Sequence, residues 1–144
     1  MALTEKKILF LCTENAARSP MAEAILKHAA PGIAVFSAGV QSTQINPFAI
    51  AVMREQGIDL MHHESRTYEE LGETGFDLIV ALSRPAWDKA REIADATGAG
   101  FEYWDLPDPP SLSGNENRDQ IIEAYRRLRD DIARHIRNRF AIDA

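Results

Sequence analysis

Cys12 and Arg18 are the residues of this sequence whose types and spacing could do covalent chemistry. A thiolate is a strong nucleophile, and an arginine six positions later can grip two oxygens of a tetrahedral anion at once. The residues between them, whose backbone N–H groups can wrap around such an anion, are Thr13, Glu14, Asn15, Ala16 and Ala17. The stretch therefore predicts an oxyanion-binding loop in which Cys12 attacks the central atom of the bound anion.

Two polar side chains of this stretch have expected supporting roles. Ser19 can donate a hydrogen bond to the Cys12 sulfur, and Asn15 can bind neighbouring backbone with its amide and hold a strained turn. A lone cysteine is more often a small buried hydrophobe than a catalyst, so its position decides the interpretation. Cys12 ends an apolar run and comes just before a helix start, whose positive end favours the thiolate.

The elements around the loop predict a parallel sheet. Ile8 to Leu11 is a continuous apolar run, typical of a strand buried on both faces. Further strands are predicted at 33–37, 77–82 and 101–104, and helices at 19–30, 47–56, 67–71, 85–97 and 118–140.

Alternation of strands and helices indicates an α/β fold, namely a single three-layer domain over residues 1–144. Its four-stranded parallel sheet should carry helices on both faces. Ligands of such sheets bind beyond the carboxyl ends of the strands, at the point where the strand order switches. The loop after the first strand, which begins at Cys12, is the expected site.

Composition excludes several classes of function. Asp and Glu number 22 against 16 Lys and Arg, so the net charge of −6 argues against a nucleic-acid or anionic-membrane surface. One cysteine permits no internal disulfide and no cysteine metal cluster, and we expect neither a metal nor a cofactor. The sequence has no apolar run as long as a membrane span, and we therefore expect a cytoplasmic location. The adjacent His62 and His63 are interpreted as solvated loop histidines.

The sequence resembles the low-molecular-weight protein tyrosine phosphatase superfamily, which includes thioredoxin-coupled and thiol-coupled arsenate reductases. The resemblance covers nearly the whole chain. It is carried by Ile8-Leu9-Phe10-Leu11-Cys12 with Asn15, by Arg18-Ser19-Pro20-Met21-Ala22-Glu23-Ala24, by Ser37-Ala38-Gly39, and by Pro47, Met53 and Gly57-Ile58-Asp59. It implies a phosphocysteine intermediate on Cys12.

The resemblance also implies that Asp108, in Asp108-Pro109, is the general acid that protonates the leaving-group oxygen and later helps to activate water. Positioned proton transfer of this kind contributes roughly 10²–10⁴-fold. Asp-Pro alone is only a turn signal. Asp105 ranks second, because the superfamily pattern places the acid directly before proline.

The chain departs from the superfamily pattern at four positions. Glu14 replaces a usual glycine and must point outward, and Ala17 leaves Cys12 without a partner for a protective disulfide. Pro110 stands where tyrosine-directed members carry a tyrosine. Ser83 lies where the first resolving cysteine of the thioredoxin-coupled reductases would be, so reductase activity would need an external thiol.

Three functions remain open from the sequence. The leading one is hydrolysis of phosphomonoesters, either on a phosphorylated protein, as phosphotyrosine, or on small aryl phosphates. The second is reduction of arsenate, a small oxyanion, by an external small thiol. The third is a non-catalytic regulatory module that binds an oxyanionic partner. The complete set of Cys12, Arg18, Ser19 and Asp108 argues against the third.

Overall fold

The computed structural model describes residues 5–108 and 117–142. They form four strands and five helices. In chain order these are β1 (Lys7–Cys12), α1 (Arg18–Ala29), β2 (Ala34–Gly39), α2 (Pro47–Arg54), α3 (Tyr68–Leu71), β3 (Leu78–Ala81), α4 (Arg84–Thr97), β4 (Gly100–Tyr103) and α5 (Arg118–Phe140). The predicted elements are all present, with ends that differ by a few residues at most.

The strands form one parallel sheet in the order β2-β1-β3-β4. From β1 the chain first adds β2 on one side and then crosses to add β3 on the other. The strand order therefore switches between β1 and β3. Cys12, the last residue of β1, lies at this switch point and is paired in register with Gly39 of β2.

The two faces of the sheet are both covered, which confirms the predicted three-layer α/β fold. Because side chains alternate along a strand, Ile8 and Phe10 face one side and Leu9 and Leu11 the other. The first side packs against α1, α2 and α5, and the second against α3 and α4.

Local caps fix the start of the helices that surround Cys12. Asn46 Oδ1 accepts hydrogen bonds from the N–H groups of Phe48 and Ala49 at the start of α2, where Pro47 has no N–H group that would need an acceptor. Ser83 Oγ caps α4 by accepting from Ala86 N–H. Both caps belong to loops at the carboxyl edge of the sheet, so they hold the walls of the site.

None of the helices in the described part of the chain combines the length and the apolar character needed to cross a bilayer.

Candidate functional site

The loop of residues 12–18 is held from outside by its carbonyl groups. The segment 40–46 donates four backbone hydrogen bonds to it, from Val40 to Cys12 O, Gln41 to Thr13 O, Thr43 to Glu14 O and Asn46 to Ala16 O, at 2.9–3.2 Å. Ser65 Oγ donates to Asn15 O at 2.6 Å, and Met21 N–H donates to Ala17 O. With these carbonyls directed outward, the concave side of the loop is left to its N–H groups, as an anion site requires.

Gly39 lets the 12–18 loop approach β2 this closely. A Cβ atom at this position would lie 2.8 Å from Asn15 N and 2.1 Å from Gln41 O, both backbone atoms. Neither atom can move away without displacing the loop. The absence of a side chain at Gly39 is therefore a condition for the concave site.

Cys12 lies at the bottom of this concave site. Its Sγ is 2.8 Å from Ser19 Oγ and accepts a hydrogen bond from Asn15 N–H at 3.2 Å. The Cys12 residue is 3% exposed, and its thiol is free. The N-terminus of α1 begins at Arg18, so its positive end faces the same space. The structure thus brings Cys12, Asn15 and Ser19 together at the bottom of the concave site.

Asn15 is the centre of a buried polar network. Its φ of 52° is the left-handed conformation, which asparagine tolerates better than most residues. Its Nδ2 donates to Ser19 Oγ at 2.9 Å and to Ser37 Oγ at 3.0 Å. Ser19 Oγ accepts from Asn15, so its one hydroxyl proton is shared between two acceptors, the Cys12 sulfur at 2.8 Å and Ala38 O at 3.5 Å.

The network continues from Asn15 to Glu23 and His63, two residues to which the sequence analysis gave no role in the site. Ser37 Oγ donates to Glu23 Oε1 at 2.5 Å, and Glu23 also accepts from Lys27 Nζ. His63 lies 3.9 Å from Glu23 and donates from Nε2 to Asn15 Oδ1 at 3.0 Å. The interpretation of His63 as solvated is wrong, since its side chain is only 11% exposed, whereas His62 is exposed as expected. The sequence did contain one signal for this network, because Glu23 places a carboxylate on the buried face of α1, where it needs polar partners.

The His63 imidazole makes the stability of the fold dependent on pH. Burial, with help from the charges of Arg66 and Lys27, lowers the pKa of His63, while Glu23 and Asn15 oppose this. Below the unfolded pKa of about 6.5, the unfolded chain therefore takes up a proton more readily than the folded chain. Stability contributed by neutral His63 is present above that pH and is lost as the pH falls toward the folded pKa.

When the pH is lowered from 7 to 5, we expect the free energy of unfolding to fall less in a His63→Gln variant than in wild type, because the variant has no buried imidazole to protonate. Urea unfolding at a series of pH values measures this difference. His62→Gln, changed at the exposed neighbour, is the control and should follow the wild-type curve. A His63→Gln curve with the wild-type slope would contradict the assignment.

Arg18 and Asp108 meet at the mouth of the site. Arg18 is 8% exposed, and its Nη2 forms an ion pair with Asp108 Oδ1 at 2.7 Å, while Nη1 lies 3.5 Å from Leu106 O. The Asp108 side chain is 88% exposed. Asp105 instead accepts from the Tyr103 hydroxyl at 3.1 Å. Pro109 and Pro110 lie outside the described residues.

The 12–18 loop forms the floor of a cleft of about 570 Å³. Its walls include five residues that the sequence analysis did not assign to the site, namely Asn46, Ser83, Arg84, Tyr103 and Tyr125. Burial raises the pKa of Tyr125, which lines the cleft, to about 12. Glu14 is exposed and is also one of the residues that line the cleft. Trp104, next in the chain, is buried between Phe10 and His135 and does not line the cleft.

Residues 5–108 and 117–142 contain no group of three or more His, Cys, Asp or Glu side chains that could hold a metal ion. The chemistry that these residues offer is that of a thiol, an arginine and an acid.

Comparisons with known proteins find relatives that align with nearly the whole chain. The sequence is 33% identical to a glutaredoxin arsenate reductase of Synechocystis sp., over 94% of this chain and 97% of that protein. It is 34% identical to an arsenate reductase of Bacillus licheniformis, over 96% and 97%. A solved arsenate reductase in its oxidised state superposes with a TM-score of 0.77 at 32% identity, covering 94% of this chain and 97% of that one.

A family model described as low molecular weight phosphotyrosine protein phosphatase matches residues 7–141. That range includes the 12–18 loop, Asp108 and all four strands. The chain therefore belongs to the low-molecular-weight phosphotyrosine protein phosphatase family.

Proposed function

We propose that this protein reduces arsenate to arsenite with electrons from an external thiol. The observation that carries the proposal is the position of Cys12 Sγ at the bottom of a loop that can bind an oxyanion. The chain has no second cysteine. The relatives aligned over nearly the full chain, and named arsenate reductases, support arsenate as the anion. This reverses the order of the two enzymatic hypotheses drawn from the sequence.

The first step forms a bond between sulfur and arsenic. The loop N–H groups and Arg18 hold three arsenate oxygens, and the Cys12 thiolate attacks arsenic opposite the fourth. Asp108, beside Arg18 at the mouth of the site, supplies a proton to that oxygen, which leaves as water. The product is a Cys12–arsenate thioester in which arsenic is still As(V).

The second step transfers the electrons. An external thiolate attacks Cys12 Sγ, a sulfur–sulfur bond forms, and the sulfur–arsenic bond breaks with its electron pair moving to arsenic. Arsenite, now As(III), leaves the cleft. A second external thiolate attacks the outer sulfur of the mixed disulfide and releases the Cys12 thiolate. Arsenate and two thiols thus give arsenite, one disulfide and water. A cytoplasmic location is part of the proposal, since such thiols are kept reduced there.

Hydrolysis of phosphomonoesters is the second candidate, and the Arg18–Asp108 contact favours it. An exposed carboxyl 2.7 Å from the arginine that would bind the phosphoryl group can protonate a leaving alkoxide or phenoxide. Water, activated by the same carboxylate, would then attack the phosphocysteine. The substrate would be a phosphorylated protein or a small aryl phosphate.

A side-by-side turnover test separates the candidates. The purified chain is given arsenate with glutathione or 2-mercaptoethanol, and separately p-nitrophenyl phosphate without thiol. We expect arsenite formation that depends on the thiol concentration and exceeds p-nitrophenol release in kcat/KM. Faster p-nitrophenol release with no arsenite would establish the phosphatase instead. Binding of phosphate without turnover of either compound would favour the non-catalytic module.

A further inference from the structure

Arg84 is a cation on the cleft wall that has no bonding partner among the described residues. It is the first residue of α4, is exposed and lines the same cleft as Cys12. Within residues 5–108 and 117–142 it has neither a hydrogen bond nor an ion pair. Arg18, by contrast, already faces Asp108. In a chain with a net charge of −6, an unpaired arginine beside the site is a local attraction for anions.

The position of Arg84 relative to the sulfur follows from its neighbour. Ser83 accepts a hydrogen bond from Thr13 Oγ1 at 3.0 Å, and Thr13 directly follows Cys12. The start of α4 therefore touches the 12–18 loop itself, and Arg84 stands one residue beyond this contact. The Tyr103 hydroxyl, which also lines the cleft, is within electrostatic reach of both Arg84 and Arg18.

The cleft has room for a second reactant. Its volume of about 570 Å³ lies in the range of small-molecule sites and far exceeds the needs of a four-oxygen anion held by the 12–18 loop. On the proposed function, an external thiol must enter this space and reach Cys12 Sγ. It finds Arg84 available on the wall and the carboxylates of Glu14 and Asp105 at the rim.

We propose that Arg84 binds a carboxylate of the reducing thiol, so that the reductant is a small carboxylate-bearing thiol of the size of a tripeptide. A planar guanidinium accepts a carboxylate in a bidentate pair and so orients the thiol toward the sulfur. An ammonium group on the same molecule would face Glu14 or Asp105. The inference rests on the proposed function for the reaction and assigns its second substrate.

The test compares two thiols that differ only in their carboxylates. Arsenite formation is measured with glutathione and with glutathione diethyl ester, on wild type, Arg84→Gln and Arg127→Gln. Arg127 is exposed on α5 and does not line the cleft, so it is the matched control. In Arg84→Gln, the ratio of the KM for glutathione to the KM for the ester should rise about fivefold, as expected for an exposed charge pair. Arg127→Gln should keep the wild-type ratio.

A second measurement does not depend on arsenate. The rate at which Cys12 forms a mixed disulfide is followed by mass spectrometry with glutathione disulfide and with bis(2-hydroxyethyl) disulfide. Arg84→Gln should slow the first reaction relative to the second by a similar factor. Equal ratios in wild type and Arg84→Gln would overturn the inference. If no thiol supports arsenite formation, the proposed function fails, while this exchange still reports on Arg84.

Discussion

Replacing Cys12 with serine is expected to lower turnover of arsenate, and of any aryl phosphate that wild type hydrolyses, by at least about 10⁴-fold. A serine hydroxyl is not ionised near neutral pH, and it cannot form the sulfur–sulfur bond through which an external thiol would deliver its electrons to arsenic. The substitution is close to isosteric, so the contacts with Ser19 and Asn15 N–H can persist. Because Cys12 is the single cysteine, the variant contains no thiol that could give residual activity.

Binding separates loss of the nucleophile from loss of the site. Cys12→Ser should still bind inorganic phosphate or arsenate in calorimetric titrations, with a dissociation constant within a few fold of wild type. The loop N–H groups and Arg18 that bind the anion are unchanged. Activity within tenfold of wild type would remove Cys12 from its proposed role, and loss of binding together with activity would indicate a damaged loop.

Replacing Arg18 with lysine is expected to lower kcat/KM by roughly 10²–10³-fold, although the charge is kept. Lysine is a point charge on a flexible stem and cannot hold two oxygens in a planar fork. It would also lose one of the two contacts that Arg18 makes with Asp108 and Leu106 O. The acid at the mouth of the cleft would then be less well placed. Steady-state kinetics with arsenate and with the aryl phosphate measure both effects.

Arg127→Lys supplies the control for this substitution, because Arg127 is exposed on α5 and away from the cleft. It should retain wild-type kcat/KM. Thermal unfolding of Arg18→Lys should stay near wild type, since the charge persists where the loop needs it. A kcat/KM for Arg18→Lys within threefold of wild type would show that bidentate binding is not used.

Local signals in the sequence were sufficient for the fold and for the floor of the site. Asn46-Pro47 predicted the start of α2, and the apolar stripe of α5 predicted its bounds at residues 118 and 140. Cys12, Arg18 and Ser19 lie within one loop and one helix turn, so their approach to one another follows from chain geometry. A strand followed by a helix leaves few ways to arrange such a short stretch.

The rest of the site depends on contacts between distant parts of the chain. His63 reaches Asn15 across 48 residues, and the loop that carries it has no periodic pattern that could place it. Arg84 enters the cleft because β3 pairs with β1, a choice that depends on the order of the whole sheet. The close approach at Gly39 is equally nonlocal, since the obstructing atoms belong to the backbone of other segments. The spacing of residues along the sequence does not predict any of these three contacts between distant segments.

The cap that Ser83 places on α4 has a consequence for motion during the reaction. An enzyme that stored its own second sulfur on α4 would have to carry that sulfur to Cys12, at the cost of unwinding helix. Here the first turn of α4 is anchored through Ala86 N–H on one side and Thr13 on the other. On the proposed function, the reducing thiol would arrive by diffusion, and the scaffold would not need to rearrange during a catalytic cycle. The pace of the reaction would then follow the supply of reductant in the surroundings, with no internal rearrangement to set it.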